Sequence, residues 1–325
     1  MKVSEYQFKS CFAPYIEEFI HEKRAAGFNY ETEEWKLKHF DSFCVEEAVT
    51  EPHLSRELVK KWGTLRDGEC LATCSARTSV LRQFALYLVS LGIEAYIPSD
   101  FYKTEKTVVH IMSDAEIKSF FENVDKYVPA LCSKVFYRLA AEYKVIFRLI
   151  YCCGLRISEA RKLCWKDVDL SQGKIRILQS KGHKDRLIYM EEDLTALFQD
   201  YKKALRDKYH CLSEWVFPAR EMDKCLSNVT IDKKFRDFWS LTPYAECCDK
   251  KPTVHCLRHT FVVKRMNQWM EEGIPLKEML PFFSRYLGHQ SPDETFYYYH
   301  QVEEAFHIIR NKDRTGKIVI PEVKC

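Results

Sequence analysis

At 325 residues, 46% apolar and 30% charged, the chain is long enough for two hydrophobic cores and has the composition of a soluble globular protein. It contains no run of about eighteen apolar residues and no apolar core near its start, which argues against a membrane span or secretory leader and for a cytoplasmic protein. Its 50 basic and 47 acidic residues leave a net charge of +3, so the overall balance does not announce nucleic acid, although a basic face can coexist with an acidic back.

The 14 cysteines are scattered, with adjacent pairs at Cys152-Cys153 and Cys247-Cys248. Cys70 and Cys74 lack a second pair or histidine at zinc-finger spacing, so reduced, mostly buried thiols in a cytosolic protein are expected.

Along the chain, Phe12, Tyr15, Ile16, Phe19 and Ile20 recur at helical spacing, and Trp35, Leu37, Phe40 and Phe43 continue that stripe after Gly27. Ser55 is placed to cap a helix running to Trp62. Leu81, Phe84, Leu88 and Leu91 predict a helix over 75–91 ending at Gly92, with Arg77, Arg82 and Gln83 on its polar side. The first hundred or so residues therefore predict a small all-helical unit. Residues 97–112 lack periodicity and predict an extended linker. A new helix is expected at Ser113, whose spacing to Glu116 is that of a capping box. These features predict two domains, 1–107 and 108–325.

The second domain is expected to be mainly helical with one strand-rich interruption. A buried helix over 145–153 precedes Gly154, and Lys174–Leu178 and Arg186–Tyr189 alternate as strands do around a cationic turn at 179–185. Helices resume from Asp193. The stretch 218–252 carries no clear pattern.

Several side chains have chemical potential. Arg156 follows Gly154 at the start of a predicted helix, where an arginine suits an oxyanion or phosphate; a surface arginine paired with Glu159 is the plainer alternative. Lys181 sits at the hairpin tip, where it could deliver an ammonium to a leaving oxygen or simply be solvated. His255 and Arg258, three apart, share one face of a helix. His255-x-x-x-His259 also has a zinc-binding spacing, but Cys256 stands where a metalloprotease needs glutamate. A guanidinium beside an imidazole suits a phosphoryl group better than a cation. His289 follows Leu287-Gly288, and Tyr297, Tyr298 and Tyr299 come soon after. A tyrosine can act as a nucleophile that forms a covalent intermediate.

Taken together, Arg156 in GLRISEARKL, Lys181 in the hairpin, His255 and Arg258 in HCLRHTF, His289 in LGH, and Tyr298 resemble the tyrosine recombinase, or phage integrase, family. The family's tyrosine lies nine residues after the LGH histidine and two before another histidine, which selects Tyr298 with His300. The flanking tyrosines leave a one-residue slip open. The resemblance implies a mainly α (α+β) fold: an N-terminal helical, SAM-like core-binding domain, then a mostly helical catalytic domain with a small antiparallel sheet.

The resemblance also implies a site-specific DNA recombinase working through a 3′-phosphotyrosine, with Tyr298 as nucleophile, Arg156 and Arg258 on the phosphate, and His255 as base. His289 would hydrogen-bond the phosphate and Lys181 would act as general acid toward the departing 5′ oxygen. No cofactor or metal is expected. The implied partners are double-stranded DNA recombination sites and further copies of the chain in a tetramer on DNA, and the protein would associate with the nucleoid. The tail over 302–310, with Val302, Phe306 and Ile309 at helical spacing, resembles a helix that docks on a neighbouring subunit; docking on its own core is the alternative. An integrase or transposase of a mobile element is the leading biological role. Xer-like dimer resolution, a type IB topoisomerase and a non-catalytic DNA-binding regulator are the alternatives.

Overall fold

The computed structural model describes residues 6–99, 101–102, 109–178, 185–248, 251–289 and 291–299, the side chains of 296–299 excepted. The chain divides into two compact units, Met1–Thr107 and Val108–Cys325.

The first unit holds four helices, α1 (Ala13–Ala25), α2 (Glu31–Glu46), α3 (Arg56–Gly63) and α4 (Leu71–Ser90). Phe12, Phe19, Phe40, Phe84 and Trp62 fill its core, Phe40 meeting Trp62 edge-on at 5.3 Å. Ser55 caps α3 by accepting the Leu58 N–H at 3.2 Å. The buried positions of α2 are Leu37, Phe40, Asp41 and Cys44. Trp35 lies outside that stripe, 60% exposed, so its expected place in the core is not where the helix puts it.

Two buried polar groups organise this unit. Asp41 accepts N–H bonds from Lys9 and Ser10, both at 2.9 Å, and the Tyr6 hydroxyl at 3.0 Å, tying the leading segment to α2. Arg77, expected on a polar face, is buried instead. It makes a two-pronged bond to Glu69 at 2.8 and 2.9 Å and reaches the Thr64 carbonyl at 2.7 Å. Helix α4 also begins earlier than its apolar spacing suggests, because Arg77 stitches its first turns to the loop before it.

The second unit contains α5 (Asp114–Lys126), α6 (Lys134–Cys153), α7 (Ile157–Arg161), α8 (Glu192–Asp207), α9 (Asn228–Ser240), α10 (Val254–Glu271), α11 (Leu276–Leu287) and α12 (Pro292–Tyr299). Ser113 and Glu116 form the expected capping box. Helices α5, α6 and α9 share an aromatic core in which Phe120 packs against Phe235 at 4.8 Å and Phe147 at 5.6 Å.

Between α7 and α8 lies a three-stranded antiparallel sheet, β1 (Val168–Asp169), β2 (Lys174–Ile177) and β3 (Arg186–Tyr189), in that order. The β2–β3 register pairs Lys174 with Tyr189 and Ile177 with Arg186. Ile175, Ile177 and Ile188 face the core, as period-two alternation requires. Helix α9 falls inside the stretch that showed no pattern. No helix among the described residues is long and apolar enough to cross a membrane.

Candidate active site

Two helices end in left-handed glycines that turn the chain toward one place. Gly154 (φ +61°) closes α6 and Gly288 (φ +67°) closes α11. A Cβ on Gly154 would lie 2.4 Å from the Phe261 ring, so close packing as well as the turn requires glycine.

The last carbonyls of a helix lack intrahelical partners and carry the negative end of its dipole. Arg258, from the first turns of α10, uses both ends. Its Nη1 donates to the Gly154 carbonyl at 2.7 Å and its Nη2 to the Leu287 carbonyl at 2.8 Å. With 1% of its surface exposed, it is among the largest fully buried side chains among the described residues. Arg156 is the N-cap residue of α7 and donates from Nη2 to the Gly288 carbonyl at 2.8 Å.

Glu159 sits beneath both arginines. One carboxylate oxygen accepts Arg156 Nη1 at 3.0 Å and the other accepts the Arg156 backbone N–H at 2.9 Å. Arg186, the first residue of β3, grips the same carboxylate with two bonds, at 3.0 and 2.8 Å, and donates to the Tyr286 carbonyl at 2.6 Å. Burial alone would raise the Glu159 pKa. The hydrogen bonds and charge of Arg186, with the help of Arg156, overcome that and hold it below the usual carboxylate range. Three guanidinium groups thus face one carboxylate, Arg258 at 3.9 Å being the most distant, which leaves a local surplus of two positive charges.

His289 lies against this cluster with Nε2 2.9 Å from Arg258 Nη2. A guanidinium only donates, so Nε2 accepts and Nδ1 carries the proton. Nδ1 then donates to Thr295 Oγ1 at 2.7 Å, and the Thr295 hydroxyl meets Ser284 Oγ at 2.7 Å. Burial, followed by the charges of Arg258, Arg156 and Arg186, lowers the His289 pKa to about 3. His255 is exposed to solvent along part of its surface, and partial burial, then the charges of Arg258 and Arg156, lower its pKa to about 4. His259 stacks edge-on against it at 4.3 Å and is likewise held neutral, burial lowering its pKa to about 3. The resulting site is cationic and half-buried, lined by imidazoles without charge at neutral pH. Such an arrangement favours an anion with several oxygens.

Arg156, Arg258 and His289 are thus joined by hydrogen bonds to one another's neighbours, and the charges of Arg156 and Arg258 bear on His255. Lys181 and the hairpin tip at 179–184 lie outside the described residues, as do His300 and the tail over 302–310. Tyr298 belongs to α12, but its side chain lies outside the described residues. Arg156 does pair with Glu159, as its plainer expectation has it, but its side chain is only 19% exposed rather than on the surface. The sequence reading missed Glu159 as the shared counter-charge, and also Arg186, Thr295 and Ser284. Glu159 stood out in the sequence only as a partner of Arg156, and nothing local shows that Arg186 and Arg258 share it; Arg186 and Ser284 carry no local signal.

Residues 104–305 match the phage integrase family, more than half of the chain. A putative integrase/recombinase, y4rB of Sinorhizobium fredii, is 25% identical over 296 residues, covering 89% of this chain and 92% of the relative. Among solved structures, XerH site-specific recombinase bound to a palindromic difH substrate superposes with a TM-score of 0.62 at 19% identity, over 91% of this chain and 83% of that one. The Tn1549 transposon integrase in complex with transposon right-end DNA also gives 0.62, at 16% identity, over 94% and 99%. The likeness to both structures is one of fold. By the extent of its family match, this chain belongs to the phage integrase family and is a tyrosine-type site-specific recombinase.

Proposed function

We propose that the catalytic centre consists of Arg156, Lys181, His255, Arg258, His289 and Tyr298, and that it cuts and rejoins double-stranded DNA through a 3′-phosphotyrosine on Tyr298. The observation that carries this reading is the gathering of three guanidinium groups on the single Glu159 carboxylate, with the His289 ring bonded to Arg258. A phosphodiester gathers negative charge on its non-bridging oxygens during attack, and the preset guanidinium groups of Arg156 and Arg258 stabilise that charge. A phosphate in this place also reverses the electrostatics that keep the histidines neutral. It raises the affinity of His255 for the proton leaving Tyr298, and His289 donates to the phosphate from Nε2 once that nitrogen is protonated and its bond from Arg258 is exchanged for one to the phosphate.

Lys181 then protonates the departing 5′ oxygen. The new phosphotyrosyl bond conserves the energy of the broken phosphodiester, so a 5′ hydroxyl from a second duplex can reseal it without a nucleotide cofactor. Residues 1–107 serve as the core-binding domain and 108–325 as the catalytic domain, closing on DNA as a tetramer. XerH and the Tn1549 integrase, both described in complex with DNA, support DNA as the partner. The relative named integrase/recombinase favours a mobile element, and the likeness in fold to XerH keeps dimer resolution as the second reading.

The test uses suicide substrates nicked beside a library of candidate sites, followed by denaturing electrophoresis and peptide mapping. A covalent adduct on Tyr298 that disappears in Tyr298→Phe is the expected result. An adduct on Tyr297 or Tyr299 would move the nucleophile by one residue. Tight binding with no adduct on any site would replace the enzyme by a DNA-binding regulator.

A further inference from the structure

The second unit holds another arrangement of nucleophile, base and carboxylate, apart from the arginine cluster. His110 Nε2 lies 3.0 Å from Glu116 Oε1, and its other ring nitrogen, Nδ1, lies 3.7 Å from the Cys248 sulfur. The Glu116 carboxylate is itself fixed, because its second oxygen accepts the Ser113 N–H at 2.7 Å and hydroxyl at 2.9 Å. Trp239 meets the imidazole edge-on at 5.9 Å and limits its rotation. A carboxylate accepts from Nε2–H, so the neutral ring keeps its lone pair on Nδ1, aimed at the thiol. Nucleophilic cysteines are activated by this logic, in which a third group orients the base. Cys248 and His110 are only partly buried, so a small reagent can reach them.

We propose that Cys248 is an activated thiol, with His110 as its base and Glu116 as the orienting carboxylate, and that it reacts with hydroperoxides. His110 takes the thiol proton, and the thiolate attacks the distal peroxide oxygen. An S–O bond forms as the O–O bond breaks. The sulfur is oxidised by two electrons to a sulfenic acid, and the hydroperoxide is reduced to an alcohol or water that carries away the His110 proton.

Cys247, its more exposed neighbour, is the internal control. The reduced full-length protein is pulsed with iodoacetamide at neutral pH, and labelling at each thiol is resolved by fragment-ion mass spectrometry. Cys248 is expected to react about tenfold faster or more than Cys247 despite its lower exposure, in keeping with general-base assistance. That excess should vanish in His110→Gln and shrink in Glu116→Gln, with circular dichroism unchanged. Dilute hydroperoxide should then place a dimedone adduct on Cys248 before Cys247. Equal alkylation of the two thiols in the native protein, or an unchanged Cys248 rate in a folded His110→Gln, would overturn the proposal. No DNA enters the assay, so the result stands apart from the recombinase reading.

Discussion

His289 shows how a single proton position depends on the groups packed around the ring. Its tautomer is set by Arg258 on one side and by the Thr295 and Ser284 hydroxyls on the other. Thr295 lies three residues before Tyr298 on α12, so one hydrogen bond links the imidazole to the helix that carries the proposed nucleophile. Removing it with Thr295→Val leaves a buried donor unpaired, a cost of about 1–3 kcal/mol. Single-turnover cleavage should fall roughly ten- to hundredfold, with gel-shift binding to the site unchanged and Thr295→Ser restoring the rate. Arg156, His255, Arg258 and His289 stood out in the sequence because the ordered motifs restrict residue type and local spacing, and the structure gathers Arg156, Arg258 and His289 in one cluster. Thr295 and Ser284 did not stand out, since a hydroxyl pair eleven residues apart becomes a relay only when α11 and α12 pack together.

Helix ends act as reagents here rather than as punctuation. The C-termini of α6 and α11 supply the carbonyls that hold Arg258, and Gly154 makes the first of those ends possible. Gly154→Ala adds left-handed strain of about 1 kcal/mol and a clash with Phe261 worth about 1–3 kcal/mol more. Urea denaturation should therefore show roughly 2–4 kcal/mol of destabilisation, whereas Gly92→Ala, with nothing within 4 Å of the added carbon, should cost only about 1 kcal/mol. Most helices were readable from apolar spacing and caps, Ser55 and Ser113 among them. Helix α9 was readable in principle, since Ser227 caps it and Ile231, Phe235 and Phe238 bury one face, but irregular flanks hid the pattern. Trp35 and Arg77 went the other way because residue type alone does not tell a lone exposed indole from a core one, or a buried bidentate arginine from a solvated one.

For the second unit as a whole, buried neutral histidines make stability depend on pH. His259 and His289 are both 6% exposed and have pKa values near 3, against about 6.5 in an unfolded chain. Between those values the unfolded chain binds more protons, so the stabilisation is fully present above about pH 6.5 and is lost progressively as pH falls toward 3. Urea titrations at pH 7 and pH 5 should differ by up to about 1.4 kcal/mol per pH unit for each histidine within that window, and His259→Asn should reduce the slope. An unchanged midpoint across that range would show that these rings are not buried neutral.

The order of motifs along the chain was enough to indicate a helical first domain, a strand-interrupted second one and the family, because caps, periodicity and turn residues act over a few positions. What local pattern could not convey is the charge architecture. Arg156 meets the carbonyl of Gly288 across 132 positions, Arg258 meets that of Gly154 across 104, and Arg186 meets that of Tyr286 across 100. No short-range preference encodes such pairs. They form because core packing brings the ends of α6 and α11 beside the starts of α7 and β3, and burial then turns one shared carboxylate and several backbone carbonyls into the frame that holds three guanidinium groups together.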